Sequence, residues 1–151
     1  MVVEPIVGEA GVGKSRLLFE FARSLEDSDV TYIEGKCIHY GETLPYYPFV
    51  EVLKKFCRIE ETDGETAYRE KLKDRIIGLD PAFEASLPFL EGLLSLKVED
   101  KAYVRMEPDQ RRWKTIDAVK NVLIKQSQQK PLILAIEDLH WRSENPLQFA
   151  G

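Results

Sequence analysis

Cysteine is scarce in this chain: two residues in 151, Cys37 and Cys57, far apart and without a paired spacing. That excludes a disulfide framework and a cysteine-built zinc module, and both are expected as reduced, partly buried thiols. No apolar run approaches the roughly 20 residues that cross a bilayer, and no secretory leader is visible, so the expected location is cytoplasmic, away from membranes. Positive charge is in deficit, with 21 Lys and Arg against 26 Asp and Glu and a net charge of −5. A chain so charged is a poor nonspecific binder of nucleic acid. Internal repeats and low-complexity tracts are absent. What remains is enough for one ordinary domain, with 44% hydrophobic residues to build its core.

Against this plain background one stretch stands out, "IVGEAGVGKSRLLFEF" over residues 6–21. Within it Gly8, Glu9, Ala10, Gly11, Val12, Gly13, Lys14 and Ser15 match G-x-x-x-x-G-K-[ST] in full. The glycines reach backbone angles closed to other residues, so successive N–H groups can turn inward around an anion. A helix beginning near Lys14 adds unpaired N–H groups and its positive dipole end. Lys14 is then placed for β- and γ-phosphates, and the Ser15 hydroxyl for Mg²⁺. The flanks agree: residues 2–7, "VVEPIV", are a β-branched run, and Leu17, Leu18, Phe21, Ala22 and Leu25 follow at helical spacing. The stretch reads as a nucleotide-phosphate site between a first strand (2–7) and a first helix (14–26), with Arg16 beside it.

Further along, residues 30–38 read as a second strand, rich in β-branched and aromatic residues. A loop punctuated by Gly41, Pro45 and Pro48 leads to a helix whose face is Phe49, Val52, Leu53, Phe56 and Cys57. Tyr68, Leu72 and Ile76 mark another helix, ending near Gly78. Pro81 and Pro88 open two short helical pieces, and Pro108 opens a long helix lined by Trp113, Ile116, Val119 and Leu123, which Pro131 stops. Parallel strands need a crossover of only about a dozen residues. The helical block over about 46–129 is therefore expected as a large insertion before the next strand.

That strand is "LILAI", residues 132–136, an apolar run of the kind buried in parallel sheets. Glu137 and Asp138 follow at its carboxyl end, where open α/β sheets place their ligands. In a P-loop NTPase an acid here holds Mg²⁺, and a neighbouring carboxylate can orient the attacking water. Paired with the glycine loop, the two acids complete a nucleotide site.

"GEAGVGKSRLLFEF", "CIHYGETLPYYPFVEVL" and "PLILAIEDLHW" together resemble the ATPase module of the signal-transduction ATPases with numerous domains, the STAND branch of AAA+-related NTPases. Similar modules stand beside class III adenylate or guanylate cyclase domains or in large helix-turn-helix transcription regulators. The resemblance implies an ATP-dependent switch inside a larger signalling protein, with ATP and Mg²⁺ as cofactors and slow or absent hydrolysis in this segment. It assigns residues 8–15 to phosphate and magnesium, Ser15 and Glu137 to the metal, and Asp138, with Glu137, to catalysis through water activation. His140 and Trp141 match the family's ending without a role derivable from sequence.

Departures accompany the match. Glu137 precedes Asp138 where many AAA+ relatives have Asp before Glu, so the second carboxylate is one methylene shorter. Arg111 and Arg112 read as solvated, and no arginine finger is evident. The family's topology implies that residues 2–7 lack both strand neighbours here, leaving a truncated parallel sheet of about three strands in an α/β fold. Direct pairing of residues 2–7 with Leu132–Glu137 is the expected compact form, and exposed sheet edges invite self-association. The rival to an ATP-binding switch is a non-enzymatic interaction module or remnant with weak or no nucleotide binding.

Overall fold

The computed structural model describes residues 2, 4–36 and 47–137, Tyr47 without its side chain. Along these run helix α1 (Lys14–Ser24), strand β1 (Thr31–Lys36), helices α2 (Tyr47–Cys57) and α3 (Glu65–Leu79), and a 3₁₀ turn (Pro81–Ser86). Helices α4 (Leu87–Leu93), α5 (Lys101–Arg105) and α6 (Pro108–Gln129) follow, and strand β2 (Leu132–Glu137) ends the series.

Strands β1 and β2 pair in parallel, with Thr31 opposite Leu132 and Lys36 opposite Glu137. Both carboxyl ends therefore point the same way, the end at which a parallel sheet presents its ligands. Among the described residues the sheet has two strands, not three. The described residues of 2–7 form no strand, and Val2 and Val7 are exposed. The expected pairing with β2 is therefore not made. Pro5 lacks the N–H that a ladder needs, and a short β-branched run holds strand form only with an edge and two covered faces.

The core lies in the helical block. Val52, Leu53, Phe56 and Cys57 of α2 pack with Leu72, Ile76 and Leu79 of α3 and Leu90 of α4, as the sequence spacing predicts. From the sheet, Ile33 is buried in this cluster, and Leu132 and Leu134 lie against it. Ile33 and Gly35 lie on one face of β1, and Gly35 lets α2 come close: a Cβ there would sit 3.0 Å from the Pro48 carbonyl oxygen and 3.2 Å from Val52 Cγ2. The other face carries Tyr32 and Glu34, with the Phe21 ring of α1 edge-on to Tyr32 at 6.3 Å. The helical block thus covers one side of the sheet, and α1 lies toward the other.

The proline signals hold well: Pro48 falls in the first turn of α2, Pro81 opens the 3₁₀ turn, Pro88 is in the first turn of α4 and Pro108 opens α6. In α6, however, the buried side chains are Ala118, Val119, Val122 and Gln126, and Trp113 is 63% exposed. At about 100° per residue, Trp113 is turned about 120° from Val119, off the buried stripe. Helix α5 is started by the Asp100 carboxylate, which accepts from the Tyr103 N–H at 2.7 Å.

Candidate functional site

The glycine loop takes the backbone that its composition demands. Gly11 and Gly13 have φ of 80° and 103°, a region costly for side-chain-bearing residues. No atom would crowd a Cβ at either position, so conformation and not space requires glycine there. Gly13 caps α1 without a side-chain hydrogen bond, and the first turn of α1 holds no acidic residue. No carboxylate of the helix's own first turn offsets its positive end, a condition that favours an anion.

Lys14 folds back over this loop. Its Nζ donates to the carbonyl oxygens of Gly8 at 2.6 Å and Glu9 at 2.8 Å. Val12 N–H donates to the Glu9 carbonyl at 3.3 Å and tightens the same turn. The ammonium therefore stands over the loop from which it springs. Arg16, one position beyond Ser15, points elsewhere, pairing with Glu20 at 2.5 Å with 74% of its side chain exposed.

Ser15 Oγ donates to Glu137 Oε2 at 2.8 Å, joining the loop to the end of β2. This contact brings together two residues singled out on chemical grounds from opposite ends of the chain. Oxygen ligands in adjacent positions of an octahedral Mg²⁺ shell stand about 2.9 Å apart, given Mg–O distances of about 2.0–2.1 Å. Two hard oxygens at that separation, one of them anionic, fit such an ion when a phosphate and waters complete the shell. Among the described residues no group of three or more His, Cys, Asp or Glu is placed to hold a metal alone.

Two further residues at this end were read only as part of a strand. Lys36 Nζ lies 3.9 Å from Glu137 Oε1 and 3.8 Å from Glu34 Oε1. Burial and then the adjoining Glu137 carboxylate hold the Glu34 carboxyl above its ordinary range. The Ser15 hydrogen bond, foremost, holds Glu137 below it. Of the two, Glu137 is the carboxyl whose ionised form is favoured. The signal that could have found Glu34 and Lys36 is their alternation, which puts both on one face at the carboxyl end of β1.

Asp138, His140 and Trp141 lie outside the described residues, as does Cys37. Cys57 is buried, and burial pushes its thiol up to about 12, so it is an inert core group. Arg111 is not solvated as its sequence context implied. Its Nη2 donates to the Val104 and Met106 carbonyls at 3.2 and 2.9 Å, and its guanidinium lies over the Tyr103 ring, tying α5 to α6.

With a glycine loop at a helix start and an acid at the neighbouring strand end, comparison with known families becomes informative. Residues 5–150 match the AAA ATPase domain. The chain belongs to that family. Membership makes it an AAA-type P-loop ATPase module, and the fold above, helices with a parallel sheet, agrees with that class. Neither a curated protein nor a solved structure matches the chain. No helix among the described residues is long and apolar enough to cross a membrane.

Proposed function

We propose that this module binds ATP with Mg²⁺ as the nucleotide-holding part of a larger regulatory ATPase of the STAND type. The observation that carries the reading is the 2.8 Å contact between Ser15 and Glu137, which unites the loop and the acidic strand end at one point. Gly8, Glu9, Ala10, Gly11, Val12 and Gly13 supply the loop whose N–H groups cradle phosphate oxygens. Lys14 exchanges its two carbonyl partners for β- and γ-phosphate oxygens. Ser15 and Glu137 would hold the metal, which would supply positive charge to offset that of the phosphates. Asp138 follows Glu137 in sequence and is the residue proposed to orient water. Arg16 flanks the loop.

Hydrolysis is expected to be slow. Phosphoryl transfer depends on positioned positive charge, and an arginine finger alone is worth about 10³- to 10⁵-fold. Arg111, read from sequence as solvated and not as such a finger, is engaged with the Val104 and Met106 carbonyls. The reading is tested by titrating ATP with and without Mg²⁺ and then following phosphate release. Saturable binding with little turnover supports it, and no binding in either condition overturns it.

A second reading, an interaction module, draws on one specific observation. Among the described residues, seven of the ten exposed large hydrophobics fall within residues 2–21: Val2, Ile6, Val7, Val12, Leu17, Phe19 and Phe21. Helix α1 buries no residue. Such a surface fits covering by other parts of a larger protein, and the two readings are compatible.

A further inference from the structure

The amino-terminal half of β1 borders a groove of about 500 Å³, at the strand end opposite the phosphate loop. Its lining includes Lys55, Arg58, Arg75 and Lys130 and no carboxylate. On a chain of net charge −5 that concentration of cations needs a reason.

Three of the four have partners. Lys55 Nζ donates to the Glu34 carbonyl, Lys130 pairs with Asp29 at 2.9 Å, and Arg75 donates to Gln126 Oε1 at 3.1 Å. Arg75 also stands over Phe56, its guanidinium carbon 4.4 Å from the ring centre. Gln126 is the one buried polar side chain in the described core. The guanidinium of Arg58 has no partner among the described residues.

The backbone of Arg58 sharpens the point. Helix α2 ends with Arg58 N–H on the Lys55 carbonyl and Ile59 N–H on the Lys54 carbonyl, the paired closure that places its middle residue in the left-handed region. Arg58 has φ of 55°, where glycine is the favoured residue. An arginine held at a glycine position is a strained choice whose side chain calls for a use. Neutralising the helix end would be served by Lys55 alone.

We propose that this groove is a second anion site, separate from the phosphate loop, taking a small oxyanion of two or more charges. Guanidinium groups match the paired oxygens of phosphates and carboxylates, and Arg58 and Arg75 supply two such forks. The volume suits a molecule of that size. An added peptide strand does not fit as well. Thr31 N–H donates to the Pro131 carbonyl, so the residues of β1 that face its outer edge are Tyr32, Glu34 and Lys36. At that edge Lys55 already occupies the Glu34 carbonyl. A lysine on a strand edge opposes such pairing.

The test titrates pyrophosphate and, separately, citrate into the whole chain carrying Lys14→Ala, at low ionic strength, by calorimetry. Lys14→Ala weakens the phosphate loop as a competing site. Saturable binding of either probe, weakened at least tenfold by Arg58→Gln, supports the site, and the probe that binds assigns its phosphate or carboxylate preference. Arg58→Gly is the decisive companion. Glycine relaxes at φ of 55°, so this variant should melt at or above the parent temperature and yet lose the anion. No saturable binding with the groove intact, or binding that both Arg58 variants leave unchanged, overturns the proposal.

Discussion

Ser15 Oγ and Glu137 Oε2 stand 2.8 Å apart although 122 positions separate them in sequence. The contact is made by the parallel pairing of β1 with β2, which sets Glu137 at the ligand end of the sheet, and by the glycine loop, which delivers Ser15 to the same end. The proposed nucleotide site is centred there.

Lys14→Ala is expected to lower triphosphate affinity by at least tenfold and to leave the fold intact. Among the described residues its ammonium bonds only to loop carbonyls, Gly8 and Glu9, and it is not part of the buried core. Calorimetric ATP titration beside a thermal melt checks both parts. Undiminished affinity would remove Lys14 from the site.

Glu34→Gln is expected to raise thermal stability near neutral pH and to change it little in acid. Glu34 has a raised carboxyl pKa, through burial and then Glu137, so its contribution is full below the unfolded value and is lost as pH rises through the folded one. A glutamine avoids that loss. Glu137, with its pKa lowered chiefly by Ser15, runs the other way, and its contribution is lost as pH falls through the folded value. Melting temperatures of both chains across pH 3–8 test the sign, and a Glu34→Gln chain that is less stable at neutral pH contradicts it.

Much of the helical block was legible because proline and apolar spacing act locally: Pro48, Pro81 and Pro108 mark starts whatever lies beyond. The glycine loop was legible for the same reason. Register is not local. Nothing in the sequence near Lys36 announces that Glu137 will lie opposite it. The run at residues 2–7 looked like a strand because its residues suit one, yet a strand exists only with a partner edge. Trp113 was grouped with Ile116, Val119 and Leu123 along α6, although its position faces away from the stripe through Val119 and Val122.

Leu72→Ala is expected to cost about 2–5 kcal/mol, because Leu72 is fully buried where α3 meets the core. Trp113→Ala, by contrast, should fall within about 0.5 kcal/mol of the parent, as exposed substitutions do. Urea unfolding of the two variants side by side makes the comparison. A larger loss at Trp113 than at Leu72 would mean that the core is assigned to the wrong face of α6.

The central claim is that Glu137 and Ser15 bind ATP through a shared Mg²⁺. Glu137→Gln keeps an oxygen acceptor for the Ser15 hydroxyl but removes the charge that a divalent ion needs. The deciding measurement is ATP affinity, with and without Mg²⁺, for the parent and for Glu137→Gln. The account predicts that Mg²⁺ tightens ATP binding to the parent at least tenfold and does nothing comparable for the variant, while the Mg²⁺-free affinities stay within about threefold of each other. An equal Mg²⁺ effect in both chains would contradict it.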